Sequence, residues 1–265
     1  MDFARHSFNH DGLTFSFLDT GTSNQSITRP AVIALHAHLM QASSFAPVAS
    51  HLSPRHRVIA LDQRGHGESS HARTYTREDY LGDIAALMAF LDLPQAVLLG
   101  NSLGGANAYQ FAARHPKCVA GLVVEEIGAV VTDDISFVLP WGGNYPNREE
   151  LEAAIGPRFL PYMRDSFRQS TSGWHLAFEP AEMVQSQRNL VGDHWSDWLA
   201  SICPALLIRG SESRVTSQEH MEEMAARRPN TALVTLAGGH VVHADNPRDF
   251  NQALDRFFQE LPSAG

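Results

Sequence analysis

Ala96-Val97-Leu98-Leu99-Gly100-Asn101-Ser102-Leu103-Gly104-Gly105 is the stretch whose reading decides the fold. Its four opening apolar residues read as a buried strand, and Ala106 to Arg114 behind it reads as a helix. Between them a serine stands among glycines, so strand passes into helix through a turn too sharp for side chains on the flanking residues. Such a G-x-S-x-G turn holds its serine at the tip in a strained backbone and presents the hydroxyl outward. The following helix aims its N-terminus at the same spot, where it favours negative charge. Ser102 is the candidate nucleophile.

Working outward, Phe3 to Asn9 and Leu13 to Asp19 flank His10-Asp11-Gly12 and read as a hairpin, followed by a polar loop from Thr20 to Arg29. Ala31 to Leu35, His56 to Leu61, Val119 to Val124, Ala205 to Arg209 and Thr231 to Leu236 are further short apolar strands. Helices are expected over Ser43 to Leu52, after Thr76 with Asp79 completing a cap, over Gln218 to Arg227, and after Asn246-Pro247. Tyr80, Ile84, Leu87 and Leu91 line one face of the second of these. Strands alternating with helices, each strand nearly all apolar, imply a mostly parallel sheet covered on both faces.

From Ile127 to about Ser201 the alternation stops. That segment carries helical patterns and all four tryptophans, Trp141, Trp174, Trp195 and Trp198. It reads as a helical cap (127–201) inserted into a core formed by 1–126 and 202–265. The crevice at the carboxyl ends of parallel strands is where ligands bind. The tryptophans are candidates for lining an apolar or aromatic-sized pocket there, or for packing the cap.

An activated serine needs a base, and the base an orienting acid. Of the fourteen histidines, His240 is best placed, because it follows a strand through Ala237-Gly238-Gly239 and precedes the last helix. His243 competes three residues on. For the acid there are two places. Glu212 is the only carboxylate in the turn Gly210-Ser211-Glu212-Ser213-Arg214-Val215, and Glu125-Glu126-Ile127 directly follows a strand. Adjacent glutamates in an apolar setting are costly unless one has a partner, so the other is expected at the surface. Backbone N–H groups at Leu35-His36-Ala37-His38-Leu39, with that of Leu103, are candidates to hold an oxyanion. His36 and His38 also form an i, i+2 pair, but no carboxylate or further histidine nearby is expected to complete a metal site.

The bulk numbers narrow the class. With 265 residues the chain suits one large α/β domain or a core domain with an insertion, and 43% apolar residues suffice for its core. A net charge of −9 without a basic stripe argues against nucleic acid. No apolar run spans a bilayer. The opening Met1-Asp2-Phe3-Ala4-Arg5-His6 lacks the pattern of a secretory signal, and two cysteines, Cys118 and Cys203, form no framework, so a reducing, cytoplasmic location is the expectation. Nothing in the sequence fixes the oligomeric state.

These motifs together resemble the α/β-hydrolase family, from the first hairpin to the last helix. Gly100-Asn101-Ser102-Leu103-Gly104-Gly105 is similar to the family's nucleophile elbow. Asp62-Gln63-Arg64-Gly65-His66-Gly67-Glu68-Ser69 is similar to its structural D-x-R-G-x-G-x-S loop, and Gly239-His240 with Asn246-Pro247 and Phe250 to its histidine segment. The resemblance implies an eight-stranded, mostly parallel sheet with helices on both faces and a cap. It matches His36-Ala37 to the family's His-Gly oxyanion segment, making the His38 N–H the donor, although alanine stands where glycine is usual. At the common acid position after the seventh strand this chain has Ser213. Some members, zearalenone lactonase and (acetamidomethylene)succinate hydrolase among them, place the acid after the sixth strand. In that pattern Glu126 is the acid, ahead of Glu212 and then Glu125. The implied activity is hydrolysis of a carboxylic ester or lactone of a small apolar or aromatic molecule, with no cofactor. Carbon–carbon hydrolysis, as in the similar elbow of the meta-cleavage-product hydrolases, and a small-molecule receptor with a vestigial site are the alternatives.

Overall fold

Eight strands build one sheet in the computed structural model, which describes residues 3–21 and 29–261. They are β1 (Ala4–His10), β2 (Leu13–Asp19), β3 (Ala31–Leu35), β4 (Val58–Leu61), β5 (Ala96–Asn101), β6 (Val119–Glu125), β7 (Ala205–Gly210) and β8 (Thr231–Leu236). Their order is β1-β2-β4-β3-β5-β6-β7-β8. β2 is antiparallel to both neighbours, and every pair from β4 to β8 is parallel. The expected hairpin is present, with Asp11 at φ 48° and Gly12 at φ 76°, the left-handed pair that a two-residue hairpin turn demands. Most of the expected polar loop Thr20 to Arg29, and the first two residues, lie outside the described residues.

The helices are α1 (Ala46–Leu52), α2 (Arg77–Phe90), α3 (Leu103–Arg114), α4 (Arg148–Ile155), α5 (Leu160–Met163), α6 (Pro180–Leu190), α7 (Trp195–Leu199), α8 (Gln218–Arg227), α9 (Val242–Asp245) and α10 (Pro247–Glu260). α2, α3 and α8 pack one face of the sheet through Ile84, Leu87, Phe111, Met221 and Met224. α1 and α10 pack the other through Val48, Leu52, Phe250, Leu254 and Phe257. Thr76 and Asp79 form a reciprocal cap on α2, and Asn246 caps α10 ahead of Pro247. The D-x-R-G-x-G-x-S loop is structural. The buried Asp62 carboxylate accepts from Arg5 (2.5 Å), the Ala42 N–H (2.7 Å) and the Glu68 N–H (3.1 Å), and Gly67 at φ 59° lies where a Cβ would strike Asp62.

Between β6 and β7 the alternation does stop, but the segment is not wholly helical. Phe167–Ser170 pairs antiparallel with Gly173–Leu176, and Val130–Val131 with Gly192–Asp193. These ribbons are too short to leave a period-two signature, and Gly173 at φ 118° makes the tight turn of the first. The segment has its own apolar cluster, including Val138, Trp141, Leu151, Phe178 and Met183, into which Leu39 also reaches. Its ends, through Ile127, Val131, Leu190 and Trp198, pack in the main core instead. Among the described residues no helix is long and apolar enough to cross a membrane.

Candidate active site

β5 ends at Asn101 and α3 begins at Leu103, so Ser102 alone makes the turn, at φ 51° and ψ −116°. The glycines around it are sterically required. A Cβ on Gly100 would strike the backbone of Gly104 and Gly105, and one on Gly104 would strike the Leu35 carbonyl. The Ser102 N–H donates to the Glu125 carbonyl (2.8 Å), tying the turn to β6. The half-buried serine lines a cavity of about 1260 Å³, open to solvent above the strand ends.

His240 lines the same cavity, carried there by the loop after β8. Gly238 at φ 140° bends that loop, and Gly210 lets it approach so closely that a Cβ there would strike the Gly239 carbonyl. The Asn101 side chain, next to the serine, donates to the His240 carbonyl (2.9 Å). Among the described residues no hydrogen bond joins Ser102 directly to His240; the two share a wall of one cavity.

Glu126 stands behind His240. Its carboxylate is fully buried, and Oε2 lies 3.4 Å from His240 Nδ1. It also accepts from the Gly210 N–H (2.6 Å), the Thr216 hydroxyl (3.3 Å) and the Ser213 hydroxyl. Ser213, from the loop after β7, thus donates to a carboxylate that arrives from the end of β6. Glu126 adopts φ 56°, a left-handed backbone one residue past the strand end. Strain of this kind, about 1–3 kcal/mol per residue, persists only where the surroundings enforce it.

The expectation that one of the paired glutamates is a surface residue is overturned. Glu125, the last residue of β6, is as buried as Glu126, and the left-handed turn at Glu126 separates the two carboxylates onto different histidines. Glu125 accepts from both the N–H (2.8 Å) and the Nδ1 (2.7 Å) of His243, which stacks on Phe45 at 4.5 Å between ring centres. His243, the competing base, is thereby buried outside the cavity lining. Glu212 lines the cavity but is exposed, and its side chain makes no hydrogen bond to a histidine among the described residues.

His36 and His38 differ from expectation too. A third histidine, His66, lies with its ring centre 4.9 Å from His36 and 6.1 Å from His38. The cluster is committed to packing and hydrogen bonding. His36 uses Nδ1 on the Ala37 carbonyl (2.7 Å) and Nε2 on the Gln63 N–H (3.0 Å), while His66 Nδ1 meets the Arg64 carbonyl (2.9 Å). Burial lowers His36 to about 4 and His66 to about 3. His38 is pushed well below its ordinary value, by burial first and then by His66 and Arg77. Among the described residues no three His, Cys, Asp or Glu side chains are arranged to hold a metal ion. Ala37 needs no glycine, since the positive φ of this loop falls on Leu39, at 70°.

None of the four tryptophans lines the cavity. Trp198 is fully buried against Tyr109 with its Nε1 donating to the Met224 carbonyl (2.9 Å), and Trp141 and Trp174 belong to the inserted segment's cluster. Trp195 lies under the Arg227 guanidinium, 3.8 Å from its ring centre. The apolar walls are instead Ile127, Ile135, Phe137, Phe159 and Met163, with Phe137 and Phe159 stacked at 5.1 Å. Asp133 and Tyr162 add polar groups. Burial raises the Asp133 carboxyl, against the pull of His240. These residues sit in loops and in helical turns too short to show a periodicity, so no sequence signal marked them.

A model of the alpha/beta hydrolase family matches residues 32–253. The 2-(acetamidomethylene)succinate hydrolase of Mesorhizobium japonicum is 28% identical over 244 residues, 86% of this chain and 87% of the relative. Among solved structures, E-2-(acetamidomethylene)succinate hydrolase aligns with a TM-score of 0.82 at 23% identity, covering 97% of this chain and 99% of that one. The enol-lactonase from Burkholderia xenovorans LB400 gives 0.81 at 20% identity, covering 96% and 100%.

Proposed function

The chain belongs to the α/β-hydrolase family, and from that premise we propose that it is a serine hydrolase cleaving a carboxylic ester or lactone of a small apolar or aromatic molecule. Ser102 is the nucleophile, His240 the base and Glu126 the orienting acid. The observation that carries this reading is the convergence of Ser102 and His240 on one cavity, with Glu126 behind the imidazole. Ser102 Oγ attacks the carbonyl carbon while His240 Nε2 takes its proton. Glu126, accepting from Nδ1–H, holds the tautomer that leaves Nε2 free and stabilises the imidazolium. His240 then protonates the departing alkoxide, and a water activated the same way releases the acyl group and restores Ser102.

The N–H groups of His38 and Leu103 hold the oxyanion. In support, neither finds a backbone or side-chain acceptor among the described residues. Residues 127–201 act as the cap, and the Phe137–Phe159 stack on its side of the cavity favours a flat or apolar substituent. An activity screen over esters and lactones of graded size, run beside Ser102→Ala, tests the substrate class. Hydrolysis abolished by the substitution supports it. Tight ligand binding without turnover favours a receptor, and turnover of diketones alone favours carbon–carbon cleavage.

A further inference from the structure

The turn that carries the His38 N–H is gripped from two sides. From the core, Gln63 donates through its side chain to the His36 carbonyl (2.6 Å) and through its N–H to His36 Nε2 (3.0 Å). From the inserted segment, the Ser166 hydroxyl donates to the Leu39 carbonyl (2.9 Å). Ser186 on α6 places its hydroxyl 2.8 Å from His38 Nε2 and 2.8 Å from the Tyr80 hydroxyl of α2. Ser166 and Ser186 are 1% and 0% exposed, so neither hydroxyl has water as an alternative partner. Of the two residues gripped from the inserted segment, Leu39 has the left-handed backbone, and its side chain is sunk into that segment's own apolar cluster.

We propose that Ser166 and Ser186 are positioning residues of the reaction: from the cap they fix the His38–Leu39 turn, and so aim the His38 N–H at the oxyanion. The inference rests on the serine-hydrolase reading above. Its physical basis is that a non-glycine residue at φ 70° does not hold that backbone unaided. With both hydroxyls removed the turn relaxes, and a donor misplaced by about 1 Å loses on the order of 10²-fold in rate. The cap is then more than a cover for the substrate; seating it on the core assembles the oxyanion site.

The test compares wild type with Ser166→Ala, Ser186→Ala and the double variant, using p-nitrophenyl butyrate as substrate and phenylboronic acid as inhibitor. The boronate forms an adduct on the nucleophilic serine whose oxygen occupies the oxyanion position. Each single variant is expected to lower kcat about tenfold and the double about 10²-fold, with KM within about twofold. The phenylboronic acid inhibition constant should rise by the same factors. Ser166→Thr, which keeps the hydroxyl, should retain most of the activity. A lowered melting temperature with unchanged kcat and inhibition constant overturns the proposal, since a purely structural contact gives that result. Should an alanine variant not fold, Tyr80→Phe removes the far side of the bridge. A kcat loss at constant KM then supports the proposal, and unchanged kcat overturns it. Wild type left unlabelled by a fluorophosphonate sinks the serine-hydrolase reading and this inference together. Labelled wild type with unaffected serine variants sinks this inference alone.

Discussion

Ser102 has its side chain on a backbone that suits glycine, at φ 51° and ψ −116°. Ser102→Ala and Ser102→Gly both delete the hydroxyl, so both should lose turnover by about 10³-fold or more. Their stabilities should be inverted from the usual order. The glycine variant is expected to be the more stable by about 1 kcal/mol, because it alone releases the strain. Urea denaturation of the pair checks this; an alanine variant as stable as the glycine one means the turn is unstrained. In the proposed reaction Glu126 acts as the acceptor that orients the imidazole. Glu126→Gln should cut kcat by about 10³–10⁴, as loss of the correct imidazole tautomer does, while the exposed Glu212→Gln stays within about threefold. Steady-state kinetics of the two variants separate them, and the reverse ranking moves the acid to the loop after β7.

At the scale of elements, β6 delivers two carboxylates to two histidines that lie three residues apart. Glu125 clasps α9 through the N–H and Nδ1 of His243, while Glu126 backs His240. Glu125→Leu leaves two buried donors unpaired and should cost about 3 kcal/mol, as should His243→Leu; the double variant should cost clearly less than the sum of the two, the backbone N–H of residue 243 being the one donor still unpaired. A double-mutant cycle by denaturant melts measures it, and simple additivity would show that the two side chains are not coupled. This clasp was not legible in the sequence. Adjacent glutamates announce that one needs a partner, but not that both have one, because the second histidine is brought in by the fold. The elbow was legible because Gly100 and Gly104 answer to local sterics. The capped starts of α2 and α10 were legible because a cap is a short-range bond. The tryptophans misled for a physical reason: their large apolar surface is worth most in a core, and the cavity wall fell to Phe137 and Phe159. His66 beside His36 was equally hidden, since it reaches that place from the next strand's loop.

For the whole molecule, the buried histidines tie stability to pH. His36 and His66 titrate near 4 and 3 in the fold, against an ordinary 6.5 in the unfolded chain. Their contribution is therefore fully present above pH 6.5 and is lost as pH falls from there toward 4 and 3, because only the unfolded chain takes up the protons. Each contribution falls by up to about 1.4 kcal/mol per pH unit once the unfolded imidazole is protonated, so the pair should remove about 3 kcal/mol between pH 6.5 and 5. His66→Phe should reduce that difference by about half in urea melts at the two pH values; a difference unchanged by the substitution would falsify the assignment. The same architecture that buries these rings brings Ser102 from the turn after β5 and His240 from beyond β8 to one cavity, with Glu126 from the end of β6 behind the imidazole. The most direct measurement is the rate of fluorophosphonate labelling, with the modified peptide identified by mass spectrometry, in wild type, His240→Ala and Glu126→Gln. A single adduct on Ser102, formed at least about 10²-fold more slowly in both variants, is the expected result. An adduct on another residue, or labelling of Ser102 at an unchanged rate without His240, contradicts it.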